Sequence, residues 1–278
     1  MVGKKILIAL QIVSVTTILS CGQIDRNESL LKVANGLTIP NEEYPSVIML
    51  YDKKKGGLCS GTFISDTVVL TAAHCTMGGK VIDEKTGEVD HTIHIVEMME
   101  SDEADGKKSP RVVASSEAVF RNPKWDEEFE KKQVNSYDLG VIQFPAGFAA
   151  GISTIAQKAP QPKDDITIVG FGLNYVPKSA KDMDTTSVGI KRKGKNTVAL
   201  RYQGFIFFQG TPNNIDASGE NANAAPGDSG GPMFAQGKLV GVTSGGGRTL
   251  FGSGISAYID LHSRISKKFL KSQGITYK

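Results

Sequence analysis

Short runs of β-branched and aromatic residues recur along the chain, and they constrain its fold more than any other feature. In order they are YPSVIMLYD, SGTFISDTVVLTAA, HTIHIVEMME, RVVASSEAVF, YDLGVIQF, DITIVGFG, TVALRYQGFIFF, GPMFAQGKLVGVTSG and GSGISAYI. Turn-forming residues separate these runs, as they separate the strands of antiparallel sheets. The pattern predicts an all-β domain, built either as paired antiparallel barrels or as a sandwich.

One segment near the C-terminal end departs from this pattern. In AYIDLHSRISKKFLKS, the apolar residues Ile259, Ile265 and Leu270 stand among polar residues at roughly helical spacing. The sequence therefore predicts a terminal helix.

The first twenty residues have the layout of a secretory signal. Lys4 and Lys5 precede an apolar run too short to span a bilayer comfortably, and the small Ser20 stands before Cys21. We therefore assign residues 1–20 to a signal peptide and expect the protein to be exported. Without them the formal net charge falls from +3 to +1, because two lysines and no acids are removed. This charge predicts no nucleic-acid partner.

The ILSC stretch that ends at Cys21 is similar to a bacterial lipobox, in which the cysteine becomes a lipidated N-terminus. Lipidation would attach the protein to a membrane of the cell envelope. Simple export, with Cys21 lost or left spare, is the alternative. If Cys21 is lipidated, Cys59 and Cys75 remain as a pair that an oxidising compartment would allow to bond.

Two charged segments are interpreted as surface. Residues 83–109 are rich in Asp, Glu, Lys and Gly, which predicts a solvated loop with one strand inside it. His91 and His94 stand near acidic residues there, but positions three apart on a strand face opposite sides, so we predict no metal site. The KRKGK stretch at residues 191–195 is predicted to be a hairpin tip rather than a binding patch.

Three motifs carry residue types that catalyse acyl transfer. LTAAHC places His74 after a strand, SYDLGVI places Asp138 at the start of another, and GDSGGP places Ser229 among glycines. Each motif alone is weak evidence. Together, in the order His, Asp, Ser, they resemble the signatures of the trypsin/chymotrypsin family of serine endopeptidases. The resemblance runs from about Val33 to the end of the chain.

The resemblance implies a fold and a reaction. The fold is two six-stranded antiparallel barrels, over about residues 33–150 and 151–278, with a C-terminal helix and with the catalytic residues in the cleft between the barrels. The reaction is cleavage of protein or peptide substrates through an acyl-enzyme, without a cofactor, by a protein expected to be a monomer. His74 would act as general base, Asp138 would orient it, and Ser229 would be the nucleophile.

The resemblance also assigns roles around the nucleophile. The backbone N–H groups of Gly227 and Ser229 would form the oxyanion hole. Ser244, in VTSGGG, would support the catalytic aspartate, and the backbone beyond it would pair with an extended substrate.

The resemblance implies one disulfide. In the family, the cysteine after the catalytic histidine bonds to a cysteine on a neighbouring strand. Cys59, in LCSGTFIS, occupies that partner position. A Cys59–Cys75 bond would pin the loop that carries His74.

Activation by proteolysis follows from the same resemblance. In the family, the residue that matches Asp228 is buried and pairs with an N-terminal ammonium created by cleavage. Here an activating protease would cut between Lys32 and Val33, and residues 21–32 would be the activation peptide. The alternative is that Asp228 merely caps a turn.

The specificity pocket departs from that of trypsin itself. Asn223 stands at the predicted pocket floor, where an aspartate selects Arg or Lys, and Gly246 and Gly254 match the small residues of the walls. We expect a polar, uncharged pocket for aromatic, long apolar or amide side chains. The alternative is that Arg248 swings in and favours acidic residues.

Two further departures concern the surroundings of the pocket. Gly245 replaces a usual tryptophan, and the cysteine pair that flanks the pocket is absent, with Ala225 in one of its places.

A catalytically silent family member, used as a binding or adhesion module, is the alternative function. Such proteins typically lose the serine, the histidine or the oxyanion glycine, and all three are present here.

Overall fold

The computed structural model describes residues 33–277, apart from residues 79–80, 83–88, 91–92, 101–107, 126–134, 184–186, 188 and 214. The predicted signal peptide, lipidation site and activation peptide lie outside the described residues, as does His91. Among the helices in the described ranges, none is long and apolar enough to cross a membrane.

The first half of the chain forms a curled antiparallel sheet. A two-residue strand, β1 (Leu37–Thr38), comes before it and joins the second sheet. The strands that follow are β2 (Val47–Asp52), β3 (Gly57–Phe63), β4 (Val68–Thr71), β5 (Val81–Ile82), β6 (Val89–Asp90), β7 (Ile93–Glu100), β8 (Lys108–Ser115), β9 (Ala118–Arg121) and β10 (Gly140–Gln143). The sheet order is β8-β7-β2-β3-β4-β10-β9, and β5 and β6 form a separate ribbon.

Consecutive segments of chain form the two edges of this sheet. Only Ser116 and Glu117 separate β8 from β9. The N–H of Ser116 donates to Ile93 of β7 at 3.0 Å, and that of Glu117 donates to Gln143 of β10 at 2.8 Å. The edges therefore meet, and β8 and β9 act as one interrupted strand of a six-stranded barrel.

The second half repeats this plan. Its strands are β11 (Asp165–Gly170), β12 (Arg192–Thr197), β13 (Leu200–Tyr202), β14 (Phe205–Gly210), β15 (Pro232–Ala235), β16 (Lys238–Arg248) and β17 (Gly254–Asp260), in the order β1-β12-β11-β15-β16-β17-β14-β13. Only Val198 and Ala199 separate β12 from β13, and the N–H of Ala199 donates to Phe207 of β14 at 2.9 Å. The fold of two antiparallel barrels is thus confirmed.

Apolar side chains that alternate along the strands fill both barrels. In the first barrel the rings of Phe63 and Phe144 lie 6.3 Å apart, and in the second those of Phe208 and Tyr258 lie 5.6 Å apart. All four side chains are fully buried. A further cluster packs the barrels together, with Leu70 and Val141 from the first and Phe234 and Val242 from the second.

The predicted terminal helix is present over Arg264–Ser272. Ser263 caps its N-terminus by accepting a hydrogen bond from the N–H of Ser266 at 3.0 Å. Phe269 and Leu270 are buried on its inner face. The spacing of Ile259 predicted that it would be part of this helix. It belongs instead to β17.

The prediction of a hairpin tip at residues 191–195 is wrong. Arg192 begins β12, and the side chains of Lys191 and Arg192 are buried. Charge alone predicted exposure, but the Lys191 ammonium donates to the carbonyl oxygens of Asn41 and Tyr44 at 2.9 and 2.7 Å. Backbone acceptors thus replace water around a buried cation.

Candidate active site

His74 lies in a short 3-10 helix, Ala73–Thr76, directly after β4. A disulfide joins the next residue, Cys75, to Cys59 of β3, with 6.1 Å between their Cα atoms. The predicted pairing is therefore present. Potential ligand atoms of Cys59, His74 and Cys75 lie within 4.8 Å of one another, but sulfurs bonded to each other offer no thiolate to a metal.

Asp138 stands two residues before β10, and its carboxylate faces His74. One oxygen, Oδ1, accepts from the His74 backbone N–H at 2.9 Å, and the other, Oδ2, lies 2.8 Å from the ring nitrogen Nδ1. Oδ2 also accepts from the Ser244 hydroxyl of β16 at 2.6 Å. Residues from both barrels therefore meet at this carboxylate.

The environment of Asp138 keeps its carboxylate charged. Burial acts to raise the pKa of Asp138, but the opposing effects of His74, through charge and hydrogen bonds, and of Ser244 together hold that pKa below its ordinary value. An ionised carboxylate only accepts hydrogen bonds, so Nδ1 of His74 carries a proton. Nε2 of a neutral ring is then an acceptor.

Ser229 lies in a glycine-rich turn held between the two barrels. Its carbonyl oxygen accepts from the N–H of Ser60 in β3 at 2.8 Å, and the next N–H, of Gly230, donates to Thr243 of β16 at 2.8 Å. Gly230 has a φ of 78°, and a Cβ there would lie 2.0 Å from the Thr71 hydroxyl oxygen. Only glycine fits this backbone.

Asp228, beside Ser229, is buried at 1% exposure. Its carboxylate accepts from the N–H groups of Ala225 at 3.0 Å and Gly172 at 3.2 Å. A Cβ on Gly170 would lie 2.0 Å from its Oδ1 atom, so glycine is required there. Asp228 is thus enclosed by backbone.

Arg192, a buried cation near Asp228, was not predicted as part of the site. Its Nη1 atom donates to the carbonyl oxygen of Gly172 at 3.1 Å, and the N–H of Gly172 in turn donates to Asp228. Burial lowers the pKa of Arg192, while the Asp228 carboxylate acts to raise it. The guanidinium therefore contributes positive potential at Asp228.

Asn223 is fully buried, and its amide is fixed by hydrogen bonds. Nδ2 donates to the carbonyl oxygen of Ala224 at 2.8 Å, and Oδ1 accepts from the Ser256 hydroxyl at 2.8 Å. Of the two glycines predicted as pocket walls, Gly254 lies directly against this amide, since a Cβ there would lie 2.6 Å from Cγ of Asn223. The other, Gly246, is exposed. Ser256 was not predicted, although its place two residues after Gly254 puts it on the same face of β17.

The Arg248 side chain is half-buried, and its hydrogen-bond partners are not residues of the predicted pocket. Its Nε donates to Val176 at 2.9 Å, and Nη2 donates to the side chain of Asn213 at 2.7 Å. Gly254 lies opposite Arg248 in the strand register. At Gly245, a Cβ would meet nothing within 4 Å, so open space lies where the family usually has a tryptophan.

Two antiparallel barrels, with a carboxylate–histidine pair and a glycine-framed serine at their junction, define the class of β-barrel serine hydrolases. The trypsin family profile matches residues 33–268. The chain therefore belongs to the trypsin family, and it is a serine endopeptidase.

Individual relatives are distant. Trypsin 5G1 of Aedes aegypti is 23% identical over 245 residues, which cover 84% of this chain and 81% of that protein. Kallikrein-7 of Homo sapiens is 25% identical over 193 residues, which cover 68% and 66%. A Glu endopeptidase structure matches with a TM-score of 0.53 and 16% identity, and the match covers 89% of this chain and 97% of that one. At this identity the structural match shows the fold alone.

Proposed function

We propose that the protein cleaves peptide bonds with the triad Ser229, His74 and Asp138 through an acyl-enzyme. The observation that carries the proposal is the paired contact of Asp138 with both the backbone N–H and the Nδ1 atom of His74. This geometry fixes the ring and its tautomer, as a general base that acts through Nε2 requires.

The chemical steps follow from these roles. Ser229 Oγ attacks the carbonyl carbon of the scissile bond while its proton passes to Nε2 of His74. The imidazolium, stabilised by Asp138, then gives that proton to the leaving amine as the C–N bond breaks. Water repeats the sequence on the acyl-serine ester, which releases the acid product and restores Ser229.

The oxyanion of each tetrahedral intermediate is assigned to the N–H groups of Gly227 and Ser229. Gly227 has a φ of 100°, which other residues avoid. A glycine there also leaves the main chain free of a side chain where substrate must approach.

Asn223 and Ser256 form the floor of the proposed specificity pocket, with Gly246 and Gly254 as walls. This floor holds no charged group, which favours aromatic, long apolar or amide side chains at the cleaved residue. Preference for acidic residues, the activity named for the Glu endopeptidase neighbour, is the second candidate. Arg248 is the observation that favours it, because its Cα pairs with that of Gly254 on the adjacent strand. To reach an acidic residue in the pocket, its side chain would leave its present partners, Val176 and Asn213.

Export and activation complete the proposal. The protein leaves the cytoplasm by the signal at residues 1–20, with lipid attachment at Cys21 or without it, and an activating protease cuts between Lys32 and Val33. Val33 is buried at 1% exposure, and Ala34 pairs with Asn223. The start of the domain is therefore packed close to the pocket, where a released ammonium on Val33 would act on Asp228.

The test is the reaction of a fluorophosphonate probe with the processed protein. We expect labelling at Ser229 and hydrolysis of peptide substrates, both abolished in Ser229→Ala, whose turnover should fall by about a millionfold. Normal peptide hydrolysis by Ser229→Ala would refute the assignment of the nucleophile. A folded, processed parent that neither reacts nor hydrolyses peptides would favour the binding-module alternative.

A further inference from the structure

Ser60, on β3 of the first barrel, is fully buried and makes hydrogen bonds to the turn that contains the proposed nucleophile. Its N–H donates to the carbonyl oxygen of Ser229 at 2.8 Å. Its hydroxyl donates to the carbonyl oxygen of Gly227 at 3.0 Å. One residue thus holds the carbonyl groups on both sides of Asp228.

The direction of the Ser60 hydroxyl is determined by a third contact. Oγ accepts from the N–H of Phe171 at 3.3 Å, which occupies a lone pair of the oxygen. The hydroxyl proton is therefore the group that faces Gly227. Phe171 belongs to the segment beside Asp228, so Ser60 connects three segments of backbone.

Gly227 needs such an anchor because glycine rotates freely about its backbone bonds. Its own N–H is a proposed oxyanion donor, and rotation about Gly227 reorients the peptide groups on either side. Donors stabilise a developing oxyanion only when they are held in place before the reaction.

We propose that the Ser60 hydroxyl is a positioning group for the oxyanion hole. It acts through Gly227 and does not contact substrate. The proposal rests on the proposed function, because it concerns the donors of that reaction. The disulfide from Cys59, the neighbour of Ser60, leads to Cys75 beside His74, so this strand also fixes the general base.

The test compares Ser60→Ala with Ser46→Ala. Ser46 is also buried, and its hydroxyl lies 2.8 Å from that of Ser153, which belongs neither to the Ser229 turn nor to the segment of Phe171. Loss of one oxyanion donor costs about 100- to 1,000-fold in kcat, so a misplaced donor should cost about 10- to 100-fold. We expect that fall in kcat for Ser60→Ala, with KM within about twofold of the parent. Ser46→Ala should retain the parental kcat.

Two inhibitors separate positioning from general damage. A peptide aldehyde forms a hemiacetal with Ser229 whose oxygen occupies the oxyanion hole, whereas the matching peptide alcohol does not. Ser60→Ala should raise the inhibition constant of the aldehyde by the same factor by which it lowers kcat/KM. The inhibition constant of the alcohol should stay within about twofold of that for the parent. Concentrations of active enzyme are set by fluorophosphonate titration. Ser60→Gly, which removes the same hydroxyl, replaces the alanine variant if that variant does not fold.

The outcomes distinguish the two levels of inference. Three results would overturn the positioning role and leave the proposed function standing. They are a parental kcat in Ser60→Ala, an equal fall in affinity for the aldehyde and the alcohol, and a fall in kcat of the same size in Ser46→Ala. A parent protein that does not react with the fluorophosphonate overturns both.

Discussion

Ala34 and Asn223 are joined by two backbone hydrogen bonds, from the N–H of Ala34 at 2.6 Å and from the N–H of Asn223 at 3.1 Å. Both residues are fully buried. The segment that follows the proposed cleavage site is thus part of the same structure as the proposed pocket floor. A change at either place should affect the other.

Substitution of Asn223 by Asp should raise cleavage after Arg or Lys relative to cleavage after other residues. A buried guanidinium or ammonium needs a carboxylate partner, and the amide does not supply one. The new carboxylate keeps an acceptor for the Ser256 hydroxyl but loses the donor to Ala224. Profiling of cleavage sites in a peptide library measures the shift.

Asn223→Ala is the control for this change, since it removes the same amide without adding charge. It should lower overall activity and create no preference for Arg or Lys. If the parent enzyme already strongly prefers Arg or Lys, the placement of Asn223 at the pocket floor is wrong.

The activity should fall as the pH drops below about 6–7, because a protonated His74 accepts no proton from Ser229. The pKa of Asp138 is held below its ordinary value, so Asp138 stays charged over this range. Asp138→Asn should lower kcat by about 10,000-fold through the wrong tautomer of the ring. The measurement is kcat/KM from pH 4 to 9, and a rate that is flat down to pH 4 contradicts the role of His74.

Removal of the disulfide should destabilise the protein and weaken catalysis. The bond closes a loop between positions 16 residues apart, for which a loss of about 2–4 kcal/mol in the free energy of unfolding is expected. Urea unfolding of the variant with Cys59→Ala and Cys75→Ala together measures it. Two free thiols in the native exported protein would contradict the pairing.

The unfolding free energy should decrease on acidification through His262. Its Nε2 donates to the carbonyl oxygen of Ala156 at 2.7 Å in a buried setting. Burial, together with the charges of Lys267 and Arg201, lowers the pKa of His262 against the opposing effects of Ala156 and Asp260. The unfolded chain therefore binds a proton near pH 6.5 that the folded chain binds only at lower pH. Stability due to this group is present above pH 6.5 and is lost below it.

Urea unfolding between pH 5 and pH 8 tests this effect of His262. His262→Gln keeps a donor but has no titrating ring, so its stability should change less with pH. If the free energy of unfolding changes with pH in the same way in parent and variant, His262 is not the cause of the change.

The strands were predictable from sequence because β-branched and aromatic runs between turn residues are a local signal, although this signal left barrels and a sandwich both open. The barrels and the His–Asp pair were predicted through the resemblance of the short motifs around His74, Asp138 and Ser229 to a known family. Ser60 leaves no such signal, since its bond to Gly227 joins residues 167 positions apart. The predicted hairpin tip at residues 191–195 was wrong because the sequence does not indicate which backbone carbonyl groups the fold brings to the Lys191 ammonium.

Cleavage between Lys32 and Val33 should be required for full activity. Asp228 is buried, and an ion pair with a new N-terminal ammonium would stabilise the turn that carries Gly227 and Ser229. Loss of one partner of a buried pair costs about 3–5 kcal/mol, which corresponds to a loss of roughly 150- to 5,000-fold in the active population. Lys32→Gln, which removes the basic residue at the cut, should therefore show about that loss in fluorophosphonate titration.

Treatment of the parent with a lysine-specific protease, followed by N-terminal sequencing, should yield Val33 as the new terminus as activity rises. Lys32→Gln should not respond, and the released domain should lose any lipid carried on Cys21. Full activity in a chain that retains residues 21–32 would contradict this model. Such a result would mean that Arg192 supplies the positive charge that balances the buried Asp228 carboxylate, because its guanidinium binds the same Gly172 peptide. Arg192→Met in the uncleaved chain would then abolish activity, whereas in the cleaved chain the Val33 ammonium should retain most of it.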